Sequence, residues 1–135
     1  MATRSASAKL AVGPPFRTEG VATTIGIYGA TKAALNRITN ALAVELFGTG
    51  VRVNTVEPRS AVMSEGAEAL VGDIVKDDQI ESMEAMVEGA IALCDCPPDH
   101  TGRIEVSLDV LDRLGITVMT LDGAQPYPGG QRVAR

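Results

Sequence analysis

Tyr28-Gly29-Ala30-Thr31-Lys32-Ala33-Ala34-Leu35, then Thr39-Asn40-Ala41-Leu42-Ala43-Val44-Glu45-Leu46, then Gly50-Val51-Arg52-Val53-Asn54-Thr55-Val56-Glu57-Pro58 is the stretch that decides the fold. From about residue 29 to residue 47 it is rich in alanine, has no proline, and places Ala34, Leu35, Ile38, Ala41, Leu42, Leu46 and Phe47 close to the helical period. That spacing predicts a helix with a broad apolar face, packed on more than one side. Gly48 and Gly50 supply its stop. Residues 51–57 are short, β-branched and bounded by glycine and proline, the pattern of a strand. A helix, a tight glycine turn and a strand make half of a βαβ unit.

Outward from this unit, residues 59–76 read mostly as loop, with a short helix near 65–71. A second helix is expected over 79–93. Asp78 and Glu81 have capping-box spacing, and Ile80, Met83, Met86, Val87, Ala90, Ile91 and Cys94 form the expected buried stripe. Pro97-Pro98 ends it. A strand at 103–108, a helical turn at 109–114 stopped by Gly115, and a third strand at 116–121 follow. The segment 125–135, rich in proline and glycine, is expected at the surface or disordered. On the amino-terminal side, residues 1–27 show neither helix nor strand, and Gly13-Pro14-Pro15 breaks any pattern. The order of elements predicts a layered α/β fold with a narrow, mainly parallel sheet. The chain divides into an active-site loop region (1–27), an α/β core (28–123) and a tail (124–135).

Composition narrows the function. The 135 residues suffice for one small domain, and 45% hydrophobic with 21% charged residues is a globular balance. Aromatics are 3%, so the core must be aliphatic. The net charge of -5, with no basic stripe, argues against nucleic acid, whose phosphates need a concentrated cationic face. No apolar run approaches the roughly 20 residues that span a bilayer, and no signal-peptide core follows Met1, so a cytoplasmic protein without membrane partners is expected. Cys94 and Cys96 are too close for an easy disulfide, and with the lone His100 they still fall short of a four-ligand zinc site; no metal is expected.

Tyr28 and Lys32 carry the chemistry. Four residues apart at a helix start, they share one face. A free phenol ionises near pH 10 and is a poor acid–base group at neutral pH. An ammonium about 4 Å from a phenol, at an effective dielectric of about 20, favours the phenolate by roughly 4 kcal/mol, and the positive end of a helix dipole acts the same way. That suits general acid–base catalysis. On spacing alone, a packed tyrosine and a solvated lysine on any amphipathic helix fit equally.

The three quoted segments together resemble the active-site helix and following strand of the short-chain dehydrogenases/reductases, and Thr101-Gly102-Arg103-Ile104 resembles that family's last strand. The resemblance implies an NAD(P)-dependent oxidoreductase acting on a carbonyl/alcohol pair, built on a partial Rossmann-like three-layer fold. By the same resemblance Tyr28 is the proton donor or acceptor at the substrate oxygen. Lys32 holds the nicotinamide ribose and eases deprotonation of the tyrosine. Ser5, in Ser5-Ala6-Ser7, sits where the family's substrate-polarising serine is expected. Pro58 and Arg59 occupy the place of the family's Pro-Gly beside the nicotinamide ring. Glycine permits a close backbone approach that arginine does not, so Arg59 faces either an anionic group of the cofactor or substrate, or solvent. Residues 60–70 correspond to the family's substrate lid.

The departures are equally specific. No glycine-rich strand-to-helix turn precedes Tyr28 to seat a pyrophosphate, and Met1-Ala2-Thr3-Arg4 is too short and polar for the central strand leading to Ser5. The sequence therefore reads as the carboxy-terminal half of such a domain: a truncated product, a half that pairs with a complementary cofactor-binding half or with itself as a homo-oligomer, or a non-catalytic dimerisation or partner-binding module. NAD and NADP are not distinguished, since the residues that separate them belong to the other half.

Overall fold

The computed structural model describes residues 25–71, 75 and 80–131. Helix α1 (Ile25–Glu45) leads through a glycine turn to strand β1 (Thr55–Glu57) and the two-residue strand β2 (Ala61–Val62). Helix α2 (Glu65–Val71), strand β3 (Ile80–Glu81), helix α3 (Met83–Cys94), strand β4 (Ile104–Val106) and helix α4 (Ser107–Leu114) complete the order. β1 pairs in parallel with β4, Thr55 opposite Ile104 and Glu57 opposite Val106. β2 pairs in parallel with β3, Val62 opposite Glu81. The sheet is thus narrow and parallel as expected, and it is split into two short ladders.

α1 ends where the sequence places its stop: Gly48 and Gly50 adopt φ of 81° and 85°, a conformation that costs a residue with a Cβ. Its packing, however, is the reverse of the expectation. The helix meets the sheet through Asn36, Thr39, Asn40 and Ala43, a stripe at i, i+3, i+4 and i+7. The Thr39 and Thr55 hydroxyls share a hydrogen bond of 2.6 Å, and Asn40 Nδ2 donates to the Gly102 carbonyl at 2.8 Å. Ala43 lies close enough to Gly102 (φ 70°) that a Cβ there would stand 3.2 Å from the alanine methyl. The residues read as the buried face, Leu35, Ile38, Leu42 and Phe47, are exposed, Phe47 at 75%. Polar side chains close the α1–sheet seam, and the apolar stripe faces away from it.

The core lies instead between α3 and α4. Ala85, Leu108, Leu111 and Val118 are buried together, with Ile116 and Tyr127 against them. The expected stripe on α3 shifts accordingly: Ile91 and Cys94 are exposed, and Ala85 and Gly89 are buried. Gly89 permits this approach, because a Cβ there would sit 3.2 Å from both Cα and Cβ of Ser107. The α3 cap is Ser82, whose hydroxyl accepts from the Ala85 N–H at 3.2 Å. Glu81 does not act as the capping-box glutamate, and Asp78 lies outside the described residues.

The strand expected at 103–108 is shorter, because Ser107 and Leu108 already turn into α4. The third strand expected at 116–121 is absent; only a bridge between Met119 and Pro126 forms there. A turn closed by Asp122, which accepts from Thr120 and the Ala124 N–H, reverses the chain. The tail through Gln131 then docks, with the Ser82 N–H donating to the Gln131 carbonyl and the Ser82 hydroxyl to the Gly130 carbonyl. A proline- and glycine-rich segment lacks periodicity, yet its backbone carbonyls still satisfy a helix start.

Candidate active site

The staples along α1 fix its direction. Asn36 faces Glu57 at 3.4 Å, Thr39 faces Thr55, and Ala43 faces Gly102, which precedes β4. α1 therefore runs opposite to β1 and β4. Lys32 precedes Asn36 by one turn, roughly 6 Å along the axis, and Tyr28 lies another turn beyond. The pair stands past the carboxyl end of β1, the edge at which open parallel sheets bind ligands.

Tyr28 and Lys32 do come together: the Lys32 Nζ lies over the Tyr28 ring, 5.2 Å from its centroid, within cation–π range. Thr31 donates its hydroxyl to the Tyr28 carbonyl at 2.7 Å, bonding back within the same turn. Tyr28 is 52% exposed, so the phenol is open to a ligand or partner. Ser5 lies outside the described residues.

Pro58 follows the last residue of β1, where its missing N–H ends the ladder. Arg59 is part-exposed and ion-paired. Its guanidinium pairs with Asp109 on α4, and its backbone N–H donates to Glu81 Oε2 at 3.0 Å. Glu81 is 1% exposed, and its other oxygen accepts from the fully buried hydroxyl of Ser107. Burial raises the Glu81 carboxyl above its ordinary pKa; the Ser107 hydroxyl, the Arg59 and Ser60 N–H groups and the Arg59 charge pull against that rise without cancelling it. The turn after β1 is thus held by its backbone from β3 and by its side chain from α4.

Sequence reasoning missed this carboxylate. The strand that carries it is two residues long and shows no alternation, and the spacing to Asp78 suggested a cap. The available signal was a charged residue flanked by Ile80 and the actual cap, Ser82.

Among the described residues no glycine stands between a strand and the helix that follows it: β2 enters α2 through Met63-Ser64, β3 enters α3 through Ser82, and β4 enters α4 directly. The described residues therefore contain no pyrophosphate seat of the glycine-turn kind. They hold no group of three or more His, Cys, Asp or Glu side chains placed to bind a metal. No described helix is long and apolar enough to cross a membrane.

Residues 16–88, more than half of the chain, match the family model described as Enoyl-(Acyl carrier protein) reductase. The chain belongs to that family, which is of the short-chain dehydrogenase/reductase type. A crystal structure of a short chain dehydrogenase from Mycobacterium thermoresistibile is similar in fold, with a TM-score of 0.58 and 24% identity. The likeness covers 91% of this chain and 43% of that one, so this chain spans less than half the length of that dehydrogenase. No curated protein sequence matches.

Proposed function

We propose that this chain carries the acid–base half of an NAD(P)-dependent oxidoreductase site acting on a carbonyl/alcohol pair. The observation behind this reading is the Tyr28–Lys32 pair, joined on one face of α1 beyond the carboxyl end of β1. In this reading the Tyr28 hydroxyl gives a proton to the substrate oxygen during reduction and takes it back during oxidation. Lys32 holds the ribose hydroxyls by hydrogen bonds. Ser5 polarises the substrate oxygen, and Pro58 and Arg59 form the wall beside the nicotinamide. A nicotinamide cofactor, when bound, supplies or accepts the hydride. Its pyrophosphate needs a platform outside the described residues, from another segment, a second copy or a complementary half.

A carbonyl-reductase screen of the chain with NADH and NADPH tests this reading. Activity that Tyr28→Phe removes supports it, and activity that survives Tyr28→Phe contradicts the assignment of the acid–base group.

One observation favours a second reading, a dimerisation or partner-binding module. Leu35, Ile38 and Leu42 line an exposed stripe on α1, with Val44 and Phe47 also exposed. Size-exclusion chromatography with light scattering separates the readings. A stable oligomer without nicotinamide affinity favours the module, and a monomer counts against it.

A further inference from the structure

The carboxylate of Glu81 is buried in an uncommon way. It accepts from the backbone N–H of Arg59 on one oxygen and from the Ser107 hydroxyl on the other. Two donors from separate parts of the chain converge on one acceptor group that is 1% exposed. A carboxylate satisfies both, one on each oxygen. The Arg59 N–H belongs to the turn that begins directly after Pro58, at the carboxyl end of β1. The same glutamate stands opposite Val62 in the β2–β3 ladder, directly before the α3 cap Ser82. Arg59, held by its backbone, presents its guanidinium to Asp109 on α4. The charged group acting on Glu81 is Arg59 from the β1–β2 turn, itself paired with Asp109 on α4.

We propose that Glu81 is a positioning residue of the site: its carboxylate clasps the turn after Pro58 through the Arg59 backbone, and with it fixes the wall on which a nicotinamide ligand rests. The proposal rests on the oxidoreductase reading above for the identity of the ligand, and on the geometry alone for the clasp. Glu81 touches no ligand in this scheme; it acts through the turn. A ligand that needs the turn in place binds a clasped protein more tightly than an unclasped one, because the ordering of the turn precedes binding.

Backbone amide hydrogen exchange, followed by NMR in the unaltered chain, in Glu81→Gln and in Ser107→Ala, decides the clasp without reference to activity. Ser107→Ala removes one donor and leaves the carboxylate and its backbone contacts, so it guards against a Glu81→Gln chain that fails to fold. The clasp predicts faster exchange at Arg59 in Glu81→Gln, by about tenfold or more. It predicts a smaller increase at the same amide in Ser107→Ala, and unchanged exchange within α3 and α4 in both. Equal exchange at Arg59 in all three chains overturns the proposal, as does a uniform rise across the molecule. Titration with NADH and NADPH then reads whether the clasp serves the site. Affinity about tenfold weaker in Glu81→Gln, restored at least in part by Glu81→Asp, supports the positioning role. Equal affinity in the variant and the unaltered chain overturns that role and leaves the oxidoreductase reading standing. Absence of binding in the unaltered chain overturns the positioning role in this chain and puts the cofactor platform in a complementary half, while the exchange data still decide whether the turn is clasped.

Discussion

Tyr28 and Lys32 could be paired from the sequence because a helix turns a four-residue spacing into proximity. Nothing long-range is needed, and the structure places the ammonium over the ring. Glu81 could not be found that way, since its burial depends on Arg59 and Ser60, about twenty residues earlier, and on Ser107, twenty-six later. Two expectations follow at this scale. Tyr28→Phe keeps the ring over which Lys32 sits and removes the proton; carbonyl reduction should fall by about 100-fold or more with the unfolding midpoint little changed. Glu81 gives a pH signature. Its pKa is raised in the fold by burial, so the folded state binds the proton more tightly than the unfolded chain does. Its contribution to stability is present at acid pH and is lost as the pH rises through the raised value. Thermal unfolding measured across mildly acid to neutral pH should therefore show this component in the unaltered chain and lack it in Glu81→Gln; superimposable pH profiles would contradict the assignment.

Among the elements, existence and order were far more legible than facing. The first helix, its glycine stop, the short helix at 65–71 and the helix closed by Gly115 all form, because propensity and breakers are local, although the first starts at Ile25, within the stretch expected to hold no helix, and the last starts at Ser107, before the expected 109. The face of α1 was misread because apolar periodicity was equated with burial. Here Asn36, Thr39 and Asn40 find hydrogen-bond partners in the sheet, which no hydrophobicity pattern encodes. The expected strand at 116–121 forms only the antiparallel Met119–Pro126 bridge, through the Thr120 N–H to the Gln125 carbonyl and the Tyr127 N–H to the Val118 carbonyl, while the Met119 N–H goes to the Glu88 carboxylate. The α3–α4 contact depends on Gly89, whose neighbour is the buried backbone of Ser107 and not a flexible side-chain end. Gly89→Ala should destabilise by about 1–3 kcal/mol in urea unfolding, and a neutral result would show that α4 can move away. Gly102→Ala combines a left-handed φ with the Ala43 contact and should cost at least about 1–2 kcal/mol.

For the molecule as a whole, the match to the reductase family model and the 43% coverage of the structurally similar dehydrogenase set the terms. The described residues hold the α1–β1–β4 unit beside an α3–α4 core, with the apolar stripe on α1 exposed. Ile38→Asp, in the middle of that stripe, should shift any oligomer seen by light scattering toward monomer without loss of helicity, and an unchanged mass would place the interface elsewhere. The central claim remains that Tyr28 and Lys32 form the nicotinamide-ribose end of a dinucleotide site. Fluorescence titration of the chain and of Lys32→Met with NADH and NADPH tests it most directly. The account predicts saturable binding that Lys32→Met weakens by about tenfold or more. Binding indifferent to Lys32 would contradict it.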